Sequence, residues 1–496
     1  MQLICRKVLL LFLIFLVTGA CTIQRNPVSG NQRLMAYTWS QEVQIGQEVD
    51  KEFTAQYGLY DGEHVTEYVD RIGQIILEES HMRREDTDEQ FRETEFFFRV
   101  LDSPVVNAFA LPGGYVYVTR GLLAHLNNEA QLAVVIGHEI GHVAARHASQ
   151  RAMRQQFGQI AVIGGAILGQ EFLGIPGEPL LNLSSQAAQL IFLSYGRDAE
   201  RESDRLGVEY AARVGYVASE GAEFFTSLKR ISEASGQTIP SWASSHPDPG
   251  ERENNIPRLA AEWEAEGFEQ TIRNEDVYME MLDGMLYGEN PREGFVQNSQ
   301  FVHPELEFQF PVPDGWNLIN ERQQVILISS DEDAVMIFRI DSESGSARES
   351  VQEVAGQEGM TLNSESETQS SGRFDAYKAD VTIEQDGGNL RALIYAVEYE
   401  ENIYRFINYT ASNNFQQYET DFEMVPGQFD ALTDPDILDI APVRLEIVRV
   451  DQTARFEQLI PDPLPMGVTA SELAIINQVN LDENIESGRF LKFPVQ

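Results

Sequence analysis

Apolar and polar positions follow three regimes along this chain. Residues 39–57 and 64–80 carry apolar side chains at helical spacing, with Val65, Val69, Ile72, Ile75 and Ile76 on one face. Residues 95–100 alternate and are aromatic, which predicts a strand, and residues 107–119 read as two short strands about a Pro112-Gly113-Gly114 turn. The second regime is a run without a polar face: Leu132, Ala133, Val134, Val135, Ile136, Ile140, Val143, Ala144 and Ala145 surround their helix almost completely. Such a helix is a buried one. From residue 301 the period changes to two, and segments 306–310, 324–328, 335–340, 376–383, 392–399 and 403–409 read as strands, with helices near 347–356 and 413–423. Strands with segregated helices predict an α+β module. A last stretch reads as strand 443–450, helix 471–477 and strand 487–494.

The fold class expected is therefore α+β multidomain: a mainly helical domain with a small sheet over 22–285, an α+β sandwich over 300–436 and a small module over 442–496. A chain of 496 residues has room for all three. After residue 154, the glycine-rich apolar run 160–168 is too short to span a bilayer and reads as a core helix or a flap.

The buried helix carries the chemistry. It contains His138-Glu139-Ile140-Gly141-His142, and histidines four apart project from one helical face, where they can share a tetrahedral metal with Glu139 beside it as a base. With 8 histidines and 78 acidic residues in the chain, roughly 0.02 such matches are expected by chance. The alternative, two solvated surface histidines, conflicts with the apolar surroundings, whereas buried histidines beside a buried carboxylate need a strong partner. Asn128 followed by Gln131 predicts a capping box at the helix start. His147 lies five residues beyond His142, which on a continuing helix rotates it off the ligand face and makes it a bystander.

A hydrolytic zinc needs a third protein ligand and one open position. In residues 194–210, Leu206, Ala199, Tyr210, Ser203, Gly207, Ala211 and Val208 form one arc at 100° per residue, and Glu200 and Asp204 fall inside it. Asp198, Glu202, Arg205 and Glu209 fall on the opposite, solvent side. Carboxylates on an apolar face require partners, so Glu200 is taken as the third ligand and Asp204 as the acceptor that fixes the tautomer of a ligating histidine. A salt-bridge helix built with Arg197 and Arg201 is the competing reading.

Arg6 and Lys7 precede an apolar run over 8–17 and then Thr18-Gly19-Ala20-Cys21, the layout of a secretory signal whose last residues resemble a bacterial lipobox. A plain secretory signal with an incidental cysteine is the alternative. Cys5 and Cys21 are the two cysteines, and cleavage removes the first, so Cys21 serves as a lipid anchor and not as half of a disulfide. Thr22, where Asp would favour retention at an inner membrane, points to the periplasmic face of the outer membrane. A short polar tether then leads to the first helix. The formal charge of −42 excludes nucleic acid as a partner, because phosphates would be repelled.

Taken together, Asn26-Pro27-Val28-Ser29-Gly30, Asn107-Ala108-Phe109-Ala110-Leu111-Pro112-Gly113-Gly114, the His138 to His142 motif, Arg197 with Glu200 and Asp204, and Ser245-His246-Pro247 resemble the gluzincin metallopeptidases of the CAAX-prenyl-protease and HtpX type, in their soluble BepA-like envelope branch. The likeness spans about 26–260. It implies one zinc per chain held by His138, His142 and Glu200, Glu139 as catalytic base, Arg197 and Asp204 around the ligands, a substrate-binding strand at Asn107, Ala108, Phe109 and Ala110, and His246 near the metal as a further catalytic or resting-state residue. It implies protein or peptide substrates, in particular misfolded or misassembled envelope proteins. Residues 301 onward resemble the PsbP/Mog1 sandwich, and 442–496 resemble a LysM module, which implies peptidoglycan as a possible partner. A non-turnover scaffold or chaperone, and a zinc amidase acting on peptidoglycan peptides, are the other functions compatible with these features.

Overall fold

A computed structural model of the chain describes residues 22–153, 195–235, 246, 249–384, 388–465 and 467–496. Residues 1–21, read from the sequence as a secretory signal ending in a lipobox with Cys21, and the glycine-rich run 160–168 lie outside the described residues. Among the described residues no helix is long and apolar enough to cross a membrane.

The chain divides into two compact units: Met1–Gly288 with Val443–Gln496, and Glu289–Pro442. In the first, the predicted early helices form at Trp39–Tyr57 and Glu63–Glu78. A three-stranded sheet has Tyr115–Thr119 in its centre, with Phe97–Leu101 parallel on one side and Ala108–Leu111 antiparallel on the other. Gly113 and Gly114 turn the hairpin at positive φ, 84° and 106°, where a side chain would be strained. Two long helices, Glu129–Ala144 and Arg197–Val214, pack across each other beside this sheet. Every residue of Glu129–Ala144 is buried, the outcome its unbroken apolar surface dictates.

Two expectations are corrected here. Residues 22–35 are no tether: Thr22–Arg25 pairs antiparallel with Gln32–Met35, and the intervening Asn26 is fully buried. The asparagine explains why, since its Nδ2 donates to the Ala145 carbonyl at the end of the His138 helix (2.8 Å) while its Oδ1 accepts from the Val28 and Ser29 amides (3.0 Å each). Second, residues 443–496 are not a module apart. Arg444–Arg449 pairs with Phe490–Val495 around the helix Ala470–Ile476, and Leu445, Phe456, Leu473, Ile476 and Leu491 belong to the same hydrophobic core as Leu132, Val135 and Ile136. Lys492 is fully buried in this contact and donates to the carbonyls of Ala124 (2.6 Å) and Leu126 (2.8 Å). Gln478 donates to the His125 carbonyl (3.0 Å), and Arg230 donates to that of Val479 (2.7 Å). Periodicity shows where a strand or helix is but not which core its apolar face joins.

The second unit holds a seven-stranded antiparallel sheet and a four-stranded one, with helices Ala347–Ala355 and Phe415–Gly427. Its aromatic core gathers Phe301, Phe308, Phe310, Phe338, Tyr404, Phe406 and Phe429. The sheet's outer strand Met360–Ser370, Met-Thr-Leu-Asn-Ser-Glu-Ser-Glu-Thr-Gln-Ser, was not expected from the sequence because it buries almost nothing and has no apolar alternation.

Candidate metal centre

The His138 helix starts on Asn128, whose side chain accepts from the Gln131 amide (3.0 Å); Gln131 Oε1 accepts from Asn127 N (2.9 Å), so the reciprocal half of the box falls one residue before the cap. Glu129 in the first turn accepts from Tyr68 (2.5 Å), Tyr216 (2.8 Å) and Asn274 (2.6 Å), placing buried negative charge at the positive end of the helix. Glycines bring the second helix close. A Cβ on Gly207 would lie 2.8 Å from both His138 N and Val134 O, and one on Gly137 would lie 3.0 Å from Gly207 Cα. This approach brings Glu200 and Asp204 to the histidines.

His138, His142, Glu200 and His246 offer ligand atoms that all lie within 4.8 Å of one another, and all four residues are buried. His138 Nε2 is 3.0 Å from His142 Nε2; Glu200 is 3.5 Å from the former and 3.4 Å from the latter. Bond lengths of about 2.0–2.1 Å would put tetrahedral zinc ligands roughly 3.3 Å apart. Two imidazoles and a carboxylate at these spacings therefore fit zinc. His246 Nδ1 lies 3.3 Å from His138 Nε2 and 3.1 Å from Glu200 Oε2, on the same point, and its Nε2 is 3.6 Å from Glu139 Oε1. Glu139 is fully buried.

The surrounding charges suit a cation. Burial opposes charge on His138, yet hydrogen bonds to Asp204 and Glu200 outweigh it and raise this imidazole to about 9. Burial would also raise Glu200, but His246 and His142 hold it well below the usual carboxylate range. Burial keeps His142 well below its ordinary value. Asp204 Oδ1 sits 2.9 Å from His138 Nδ1, the ring nitrogen facing away from the cluster.

Arg197, placed beside the ligands by the family likeness, is exposed at the first position of its helix. The guanidinium on the two carboxylates belongs to Arg252: it pairs with Glu200 Oε2, reaches Asp204 Oδ2 at 2.9 Å and stacks 5.1 Å over the Phe225 ring. Arg252 comes from the helix Pro249–Ala265, six residues past His246, and that short distance is the one signal that could have found it. Glu209, assigned to the solvent side, is buried because Arg84, Arg205 and Arg213 cover it. Glu202 is only partly exposed and lies 3.2 Å from His147, whose hydrogen bond holds its carboxyl below the usual range. His147 is buried too, and is no bystander in position: its Nδ1 is 3.0 Å from His142 Nδ1.

Asn107, Ala108, Phe109 and Ala110 lead into and form the edge strand, with Ala108, Phe109 and Ala110 opposite Val118, Tyr117 and Val116. This strand packs against the His138 helix, and Phe109 stacks on Tyr117 with centroids 4.8 Å apart.

A helix bearing H-E-x-x-H, a carboxylate from a second helix and a histidine closing on the same point form a donor set suited to hydrolytic metal chemistry. Residues 66–260 match the family model described as Peptidase family M48. The chain is 31% identical over 173 residues to the mitochondrial metalloendopeptidase OMA1 of Bos taurus, covering 34% of this chain and 33% of that protein. It is also 31% identical over 168 residues to a putative beta-barrel assembly-enhancing protease of Vibrio cholerae, covering 33% of each. The chain thus spans about a third of the length of these curated relatives. Among solved structures, the cyanobacterial PsbP of Synechocystis sp. PCC 6803 aligns with 28% of this chain and 96% of its own, at 15% identity and a TM-score of 0.23.

Proposed function

We propose that this protein is a zinc-dependent endopeptidase of the bacterial cell envelope, anchored by a lipid on Cys21 at the periplasmic face of the outer membrane, that cleaves misfolded or misassembled envelope proteins. The convergence of His138, His142 and Glu200 on one buried point, with Glu139 at its side, carries the reading. The names of the beta-barrel assembly-enhancing relatives support the envelope setting.

In this reading His138, His142 and Glu200 hold the zinc. When bound, zinc polarises the scissile carbonyl and lowers the pKa of a water toward neutrality. Glu139 takes the proton from the attacking water and returns it to the leaving amine. Asp204 keeps the proton of His138 on Nδ1, leaving Nε2 free to ligate. The edge strand 108–111 lines up an extended substrate through main-chain hydrogen bonds. His246, 3.6 Å from Glu139, either steadies the developing oxyanion or fills the open position at rest.

The test is zinc content and casein cleavage of the chain from residue 22, beside Glu139→Gln. Zinc in both with cleavage lowered by a factor of 10² or more in the variant, the order of a lost general base, is expected. A parent without zinc overturns the reading.

A further inference from the structure

His147 is where a helical projection fails, and the failure has a specific cause. Five residues past His142 a continuing helix would carry the ring about 140° away from the ligand face. The helix instead ends at Ala144, and Arg146 turns the chain at φ 58°, a left-handed conformation unfavourable for a residue with a side chain. Arg146 is held there by the buried Glu42 (2.6 and 3.0 Å), by Gln24 Oε1 (2.7 Å) and by the Tyr37 carbonyl (2.9 Å). The result is that His147 swings back under His142, ring centroids 5.0 Å apart at 73°.

The hydrogen-bond directions then follow from one condition. With Nε2 of His142 turned toward His138 and Glu200, the ring's proton resides on Nδ1. Its partner at 3.0 Å is His147 Nδ1, which must accept. The His147 proton is thereby placed on Nε2, and that nitrogen lies 3.2 Å from Glu202 Oε2, an acceptor. Ser203 Oγ lies farther from His147 Nδ1, at 3.4 Å, and that nitrogen's single lone pair is already taken by the His142 proton. From His142 through His147 to Glu202 each N–H meets an acceptor. His138 has the simpler version, a carboxylate directly on Nδ1 at 2.9 Å. The two histidines are therefore supported unequally, one by the buried Asp204 and the other through a second imidazole by Glu202, whose side chain is 26% exposed.

We propose that His147 and Glu202 form a positioning relay for His142, fixing its Nδ1–H tautomer and ring orientation so that Nε2 is presented to the metal. Neither residue touches substrate. The inference rests on His142 as a ligand, and its test separates the two claims. Apparent zinc affinity of the chain from residue 22 is measured by chelator competition at fixed pH for the parent, His147→Leu, His147→Asn, Glu202→Gln and the double variants of Glu202→Gln with each, alongside melting of the metal-free proteins. His147→Leu should weaken zinc binding roughly 10- to 100-fold, the usual effect of losing the partner of a ligating histidine. His147→Asn, which keeps an acceptor for His142 Nδ1, should recover most of that loss. Glu202→Gln should weaken binding several-fold in the parent and leave it unchanged in either His147 background, because the relay is already cut. Glu202 is partly exposed, so this variant keeps the test open if His147→Leu does not fold. Parent affinity in His147→Leu or in Glu202→Gln, or an undiminished Glu202→Gln effect without His147, overturns the relay while leaving the zinc site standing. A parent that takes up no zinc overturns both.

Discussion

Arg252 balances the charges of the centre. Glu139, Glu200 and Asp204 are three buried acids, and Arg252 is the buried guanidinium that contacts two of them. One guanidinium and a divalent cation together match three carboxylates, so removing the arginine should matter most when the metal is away. Arg252→Met, similar in length and apolar, should destabilise the metal-free protein by about 3–5 kcal/mol, the cost of leaving buried charge uncompensated. Saturating zinc should restore part of that. Melting in chelator and in zinc measures the difference, and equal losses in both would show that the arginine does not share its task with the metal. Histidines away from the centre set a separate dependence on acid. Burial, aided by Arg84, lowers His81 to about 3, and burial lowers His125 to about 4. An unfolded histidine takes its proton near 6.5, so these groups contribute their full stability above that pH and lose it as pH falls toward 4, by up to about 1.4 kcal/mol per pH unit each. A melting series from pH 7.5 to 4 should slope less in His125→Gln than in the parent; parallel slopes would refute the assignment.

Two helices and their crossing make the site, and the crossing depends on Gly207. Alanine there would press a methyl against His138 N and Val134 O, backbone atoms that cannot swing aside. Gly207→Ala should cost about 1–3 kcal/mol as overpacking. It should also lower zinc affinity, because the helices part and Glu200 withdraws from the histidines. A melt and a chelator competition check both; stability lost with affinity intact would mean that the crossing serves packing alone. The content of each helix was legible in the sequence. Four-residue spacing put His138 and His142 on one face, and an apolar arc picked Glu200 and Asp204 from five acids between 198 and 209. What lies between elements was not legible. Arg252 reaches the carboxylates from a third helix, Glu209 is buried only because three arginines converge on it, and His147 depends on one left-handed residue whose support comes from the N-terminal hairpin and Glu42. Periodicity reports one surface at a time, and these contacts belong to two or three.

At the scale of the molecule, residues 443–496 belong to the unit that holds the metal centre, and 289–442 interrupt it in sequence. The break is closed by main-chain pairing: Tyr287 N donates to Val443 O (2.9 Å), Gly284 N to Leu445 O (2.8 Å) and Leu445 N to Met285 O (2.9 Å). Excising 289–442 and joining Gly288 to Val443 through a short glycine-serine link should therefore give a folded protein that binds zinc. A chain stopped at Pro442 should not, since it exposes the shared core and leaves the Ala124 and Leu126 carbonyls without Lys492. Solubility, cooperative melting and zinc uptake of the two forms decide it, and a stable truncated form would contradict the shared core. The same arrangement sets a clock on biosynthesis. A ribosome adds residues from the N-terminus at about 5–20 per second, so residue 496 follows residue 288, the end of the first part of the unit, by roughly 10–40 s. Throughout that interval the His138 helix exists without the segment that packs at its beginning. A newly made chain thus lacks the complete core of this unit until residues 443–496 have been made.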